Sequence, residues 1–307
     1  MDSGPEIRFV HHHEIDKDKW DRCISSASNE RIYAYAVYLD TMSEHWDALV
    51  MNDYECVMPL PWKKKFGISY LYQPFQCAQL GIFGSHIPPA YIIRFLEKIP
   101  ARFRYTDIYL NTGNLTGTQP KGYYTRKNYT LSLHCPYQDL SSSYRENTRR
   151  NIQKAASHSF SFTRDFDAEK LIETAVQQMR TYGPIHESDI RKFRNLYASL
   201  RKTGQAMTFG ITDTENRLLS GCIFFFSGNR AYYILAASSE EGKQKGTSHA
   251  LVNEFIKEQA GNDIILDFEG SDVDSLAFFY SGFGASEENY ACYRNNRLPW
   301  FIRWMKN

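Results

Sequence analysis

Ser238-Ser239-Glu240-Glu241-Gly242-Lys243-Gln244-Lys245-Gly246-Thr247-Ser248 is the stretch whose surroundings decide the fold. Upstream, residues 207–212, 218–226 and 231–237 are apolar runs parted by the turn signals of residues 213–217 and Ser227-Gly228-Asn229. Short turns between such runs predict a three-strand antiparallel meander. Two helices precede it, over residues 168–179 and 189–202. Asp167 caps the first, and Gly183-Pro184 and Gly204 supply stop signals. Downstream, residues 249–259 predict a helix, 264–268 a strand, 273–280 a helix and 288–293 a last strand. This order gives an α/β fold with a mixed, mainly antiparallel sheet flanked by helices. The sheet opens where the quoted loop meets its helix.

A glycine-rich turn entering a helix presents unpaired backbone N–H groups, reinforced by the positive end of the helix dipole. Such a turn suits a pyrophosphate. Lys243 and Lys245 add charge, so Gly242, Lys243, Gln244, Lys245, Gly246, Thr247 and Ser248 form the expected donor-binding set. An ordinary surface turn capped by Ser248 would use the same residues.

The first half repeats the plan weakly. Helices are expected near residues 17–26 and 34–45, followed by a hairpin of residues 48–51 and 56–60 turned at Asn52-Asp53. Strands at 68–73 and 77–83, a helix at 89–98 and strands at 107–110 and 128–134 complete it. Two copies of one architecture fit this better than a single large sheet. The expected domains are residues 1–140 and 141–307, linked near Ser141-Ser142-Ser143, with residues 298–307 packing back on the first. Where a phosphate loop would stand in the first half, the chain reads Gly84-Ser85-His86-Ile87-Pro88-Pro89. Its two prolines delete backbone donors.

Lys243-x-x-Gly246-x-Ser248 resembles the R/Q-x-x-G-x-G/A pyrophosphate loop of the GNAT acetyltransferases, with lysine at the first place and serine at the last. Asp267-Phe268-Glu269-Gly270-Ser271, followed by Ala277-Phe278-Phe279-Tyr280-Ser281-Gly282-Phe283-Gly284, looks like the last part of that fold. It is closer still to the FemAB family of peptidoglycan-bridge aminoacyltransferases, whose basic linking helix is similar to Arg145-Glu146-Asn147-Thr148-Arg149-Arg150-Asn151-Ile152-Gln153-Lys154-Ala155. The resemblance covers most of residues 141–293. It implies two tandem GNAT-like domains and transfer of an acyl or aminoacyl group to an amine. The implied donor is acyl-CoA (acetyl-CoA), or aminoacyl-tRNA. The implied acceptor is a small-molecule or cell-envelope-precursor amine.

Amide formation needs a neutral amine and a protonated leaving group. The resemblance makes Tyr280, the tyrosine before Gly-Phe, the general acid; a packed aromatic is the plainer reading. No carboxylate stands inside residues 231–237. Asp267 and Glu269 alternate onto one side of their strand, and Glu269 can serve as a base through water or can cap the next helix. Arg145 and Arg149 share one stripe of their helix, where they can clamp an acceptor phosphate or pair between domains. A non-catalytic GNAT-fold ligand-binding or regulatory protein is the alternative to an enzyme.

The 307 residues carry a net charge of +1, so polyanion binding has to come from local patches. Nucleic acid becomes a partner only if tRNA is the donor. Six scattered cysteines without a CxxC pair suggest neither a disulfide framework nor a metal site. They fit a reducing cytoplasm. No run of about 18 apolar residues predicts a membrane span, and the polar residues 1–10, without an apolar h-region, lead us to expect no classical export signal. His11, His12 and His13 read as a metal tract or a polar strand end. Lys63-Lys64-Lys65 reads as a solvated turn.

Overall fold

A computed structural model describes residues 5–117, 120–181, 183–270 and 272–304. Ser271 of the quoted motif and the last three residues of the expected 298–307 segment lie outside the described residues. The chain divides into two compact units: one joins residues 1–126 with the distant stretch 289–307, and the other is the continuous segment 127–288.

Unit 1 contains β1 (Ile7–Val10), α1 (Lys17–Ser26), α2 (Ala36–Met42), β2 (His45–Met51), β3 (Cys56–Lys65), β4 (Ile68–Leu71), β5 (Phe83–Gly84), α3 (Pro89–Glu97) and β6 (Phe103–Tyr109). Asp16 caps α1 through the Lys19 amide. The β1–β2–β3–β4 ladder is antiparallel, whereas β4 and β6 run parallel. Lys63, Lys64 and Lys65 continue β3 and pair with β4, so the turn begins one residue later, at Phe66. The strand expected at residues 77–83 shrinks to β5. Side-chain amides replace its ladder. Asn114 Oδ1 accepts the Ile82 amide, while Asn29 and Asn114 donate to the Ile82 carbonyl. Such buried backbone groups need partners of some kind.

Unit 2 takes most of β7 (Tyr123–Ser132), then α4 (Tyr137–Ser142), α5 (Glu146–Ala156), β8 (Ser161–Arg164), α6 (Glu169–Met179) and α7 (Glu187–Lys202). The predicted meander follows as β9 (Ala206–Thr212), β10 (Leu218–Ser227) and β11 (Arg230–Ser238). Then come α8 (Glu240–Gln244), α9 (Thr247–Gln259), β12 (Ile265–Gly270) and α10 (Asp274–Ser281). Within this unit the strand order is β7-β12-β11-β10-β9-β8. Leu251, Phe255 and Ile256 of α9 pack with Phe209, Phe224 and Phe268 of the sheet, all nearly inaccessible. Phe224 and Phe255 stack at 3.8 Å. Burying a phenylalanine contributes about 1.5–3 kcal/mol, which pins α9, and hence its N-terminus, to the sheet. Ser141 and Ser142 end α4 rather than forming an open linker.

The chain then returns to unit 1. Most of β13 (Ser286–Asn296) belongs there and pairs with β6 from Cys292↔Tyr109 to Asn296↔Tyr105; α11 (Trp300–Arg303) follows. The compact units are thus not the consecutive halves 1–140 and 141–307. β7 completes the second sheet and β13 the first, because a strand is set by its ladder partner and not by its place in sequence.

Candidate active site

Unit 2 opens along one line. β11 and β12 run parallel, and their ladder consists of Arg230↔Ile265, Ala231↔Leu266 and Tyr232↔Asp267. β11 continues to Ser238 and β12 to Gly270 without further pairing to each other, so the two strands part at their C-terminal ends. Ligands favour that edge of parallel strands.

On the β11 side, Ser239 caps α8, its Oγ accepting the Gly242 amide at 3.0 Å. Gly246 turns the chain into α9 at φ 75°, ψ 17°. A Cβ there would also lie 2.5 Å from the Asn151 carbonyl oxygen of α5. Only glycine meets both demands.

The predicted loop is therefore largely helical, and most of its amides are spent. Lys243 donates to Ser239, Lys245 to Glu241 and Gly246 to Lys243, at 2.9, 2.9 and 3.2 Å. This corrects the expectation of open amides around Gly246. The donors left for an anion are those of Thr247 and Ser248, the first two of α9, which no helical carbonyl can reach. Lys243 and Lys245 pair with Glu240 and Glu241 at 2.7 and 2.6 Å. Gln244 is exposed. Hydroxyls line the same entrance: Ser220 Oγ donates to Ser238 Oγ at 2.8 Å, Thr247 Oγ1 lies 2.5 Å from Ser220 Oγ, and Ser248 Oγ lies 2.7 Å from Ser238 Oγ.

On the β12 side, Asp267 and Glu269 have separate roles. Asp267 is buried, accepting from Arg230 at 2.7 Å and from Asn128 at 3.1 Å. It also accepts the Glu269 amide at 2.9 Å. Glu269 sits at φ 63° in a bulge of the β12–β7 ladder. The bulge ends the simple alternation that put both acids on one side. A non-glycine residue held in the left-handed region stores about 1–3 kcal/mol.

Tyr280 is buried with its ring stacked on Phe268 at 4.8 Å. Burial pushes its phenol well above the ordinary value, and the Glu269 carboxylate adds to the shift. It stays protonated at physiological pH.

α5 closes one flank. The Arg145 amide donates to the Gly282 carbonyl at 2.9 Å. Cβ atoms at Gly282 and Gly284 would fall 2.4 Å from Thr148 Oγ1 and 2.3 Å from Ser143 Oγ. The Gly-Phe-Gly spacing thus serves the close approach of the segment entering α5. Arg145 lies over the Phe278 ring at 5.3 Å, and Arg149 donates to the Ser142 carbonyl at 2.5 Å. Both guanidinium groups are exposed. Arg149 borders a hollow of about 330 Å³ lined also by Tyr137, Tyr144 and Ile152. Tyr144 is 4% exposed, and its hydroxyl has no hydrogen-bond partner among the described residues.

Two side chains here escaped the sequence reading. His249, in the first turn of α9, packs edge-on against Phe279 at 4.7 Å, and burial lowers its imidazole to about 4. Tyr144 is the other. A lone histidine or tyrosine beside a serine run gives no periodic signal by which to find it. Among the described residues, no group of three or more His, Cys, Asp or Glu could hold a metal ion. No helix among them is long and apolar enough to cross a membrane.

Residues 142–272 match the family model of the acetyltransferase (GNAT) domain. The crystal structure of FemX superposes with a TM-score of 0.67 at 15% identity, covering 98% of this chain and 100% of that one. A conserved protein of unknown function from Bacteroides thetaiotaomicron gives 0.61 at 10% identity, covering 94% and 100%. The C-terminal domain of a putative lysylphosphatidylglycerol synthetase from Agrobacterium fabrum gives 0.58 at 8%, covering 94% and 93%. At these identities the likeness is one of fold. No curated protein matches significantly.

Proposed function

From the premise that residues 142–272 form an acetyltransferase (GNAT) domain, we propose that the chain is an N-acyltransferase that moves an acyl or aminoacyl group onto an amine. The observation that carries this reading is the parting of β11 and β12. On this reading the α9 amides serve the β11 side of the gap, while Glu269 near the end of β12 and protonated Tyr280, stacked on Phe268 of β12, serve the other.

The amine nitrogen attacks the carbonyl carbon of the activated acyl group. Glu269 takes the amine proton through a water. The C–N bond forms as the C–S or C–O bond breaks, and Tyr280 gives its proton to the departing sulfur or oxygen. The Thr247 and Ser248 amides hold a phosphate of the donor, with Gly246 setting the turn, and Gly242, Lys243, Gln244 and Lys245 framing it. Arg149, the Tyr144 hydroxyl and Arg145 take an anionic group of the acceptor, of the kind a cell-envelope precursor carries. Six cysteines without a disulfide favour work in the cytoplasm.

Acyl-CoA is the donor we favour, with aminoacyl-tRNA as its rival. Isothermal calorimetry with coenzyme A, acetyl-CoA and charged tRNA separates them, and amide formation is then followed with whichever binds. Tyr280→Phe should lower turnover about 100-fold or more with donor affinity nearly intact. An equal rate removes Tyr280 from the chemistry. The spent amides at residues 242–246 favour a second reading, a GNAT-fold ligand-binding or regulatory protein. Absence of binding by every donor would select it.

A further inference from the structure

Unit 1 carries four strongly exposed aromatic side chains that the chemistry above does not use: Phe66, Trp300, Phe301 and Trp304, at 93%, 84%, 59% and 71% exposure. They are far apart in sequence, yet the sheet gathers them at one end. Lys65 pairs with Ile68 across the β3–β4 turn that holds Phe66. One residue further in, Ser69 of β4 pairs with Phe103 at the start of β6. β13 leaves the same end of β6, with Asn296 opposite Tyr105 and the Arg297 amide donating to the Arg104 carbonyl at 2.8 Å. Strands spaced by about 4.8 Å put the β3–β4 turn and the start of the C-terminal segment about 14 Å apart, three strand steps away.

The charge of this end is one-sided. Residues 63–67, 102–105 and 297–304 contain Lys63, Lys64, Lys65, Arg102, Arg104, Arg297 and Arg303 and no acidic residue. Arg102 is the one tied to a buried acid, Asp47, and Lys63 lies 3.9 Å from Glu44. Lys64, Lys65, Arg104, Arg297 and Arg303 are exposed. The whole chain is nearly neutral, so this concentration is local.

The aromatic segment is also held in place. Leu298 is buried, Asn296 Nδ2 donates to the Arg303 carbonyl at 3.2 Å, and Trp304 Nε1 donates to the Phe301 carbonyl at 3.0 Å. Phe66 stands on a turn at φ 51°, with Lys65 5.6 Å from its ring centre.

We propose that this end of unit 1 docks on the surface of an anionic lipid bilayer. Tryptophan at a segment tip suits the headgroup–acyl boundary, where its amphipathic ring finds both an apolar and a wet neighbour, and the phenylalanines beside it add apolar surface. Basic residues around them meet lipid phosphates. Neither aromatic residues alone nor charge alone holds a protein there; the two signals together do. The site rests on unit 1 only and stands whether or not the acyl-transfer reading does.

The test is sedimentation of the full chain with vesicles of phosphatidylcholine and of a phosphatidylcholine–phosphatidylglycerol mixture, at low and high salt. The wild-type chain should pellet with the anionic vesicles and be released as salt screens the headgroups. Lys64→Gln and Lys65→Gln should each lower partition about fivefold. Trp300→Ser with Trp304→Ser should lower it about tenfold or more. Phe66→Asn, which keeps a residue tolerant of the left-handed turn, should weaken binding while the circular dichroism melt stays put. Equal partition onto neutral and anionic vesicles, or none onto either, overturns the proposal. So does a wild-type dimer in ultracentrifugation that the tryptophan variants dissolve. Loss of tRNA binding in these variants with vesicle binding unchanged would assign the face to nucleic acid and likewise overturn it.

Discussion

Each compact unit leads its chain from a strand into a helix at a comparable point, and the two entrances are built oppositely. In unit 1, Phe83–Gly84 passes through Ser85 and His86 to Pro88, which caps α3, with Pro89 in its first turn. In unit 2, β11 passes through α8 to Gly246, which caps α9 in the left-handed region. Proline presets the helical φ at the cost of the N–H groups that a helix start would otherwise display. Glycine allows a sharper turn and leaves the first amides in place. The lesson is that a helix start becomes an anion site only where its donors survive. Even at α9, α8 has already taken those on the near side.

Four experiments break or sharpen that contrast. The largest effect is expected from Gly246→Ala, which adds left-handed strain and drives a Cβ toward the Asn151 carbonyl. Urea unfolding should show a loss of about 4 kcal/mol. Pro89→Ala at the other entrance should change stability by less than about 1 kcal/mol. Equal effects would erase the contrast.

Next is pH. His249 in the first turn of α9 is held neutral by burial, at about 4 in the folded chain against an ordinary 6.5. The unfolded chain therefore binds the proton first. The stability linked to His249 is complete above about pH 6.5 and is lost as pH falls toward 4, about 3 kcal/mol in all. His249→Gln should flatten that part of the stability–pH curve; an unchanged slope would assign the acid sensitivity elsewhere. α3 has no such group in its first turn.

Ser248→Pro makes the α9 entrance resemble that of α3. Beyond a Ser248→Ala control for the hydroxyl, it should weaken coenzyme A by about tenfold, read by calorimetry. Identical affinities in the two variants would remove that amide from donor binding.

The smallest effect concerns strain carried by a residue other than glycine. Glu269→Gly should raise stability by about 0.5–1 kcal/mol while lowering turnover. A loss of both would make the bulge structural.

Much of unit 2 was legible because its residues speak locally. The apolar period of β9 to β11, the turn residues between them and the helical spacing of α6 and α7 each name their own element. Position 246 was legible too, but its reason was not. Glycine there answers to the Asn151 carbonyl of α5, nearly a hundred residues away in sequence. Likewise Gly282 and Gly284 read as a family signature, while their contacts are Thr148 and Ser143. Cys77–Phe83 resembles a strand in composition, yet the side chains of Asn29, Asn111 and Asn114 supply the hydrogen bonds at Leu80 and Ile82 that a ladder would have given. No periodicity in the segment itself records that.

Because β13 closes the β6 edge of the unit 1 sheet, that sheet waits for residues made almost 190 positions later than its neighbour strand. During synthesis the early strands present an open edge while all of unit 2 is still emerging, so one unit can finish inside the interval in which the other stands incomplete. Long-range pairing of this kind slows folding and exposes unpaired backbone. Cutting the gene after residue 285 would leave the front of the protein, rather than its back, without a partner.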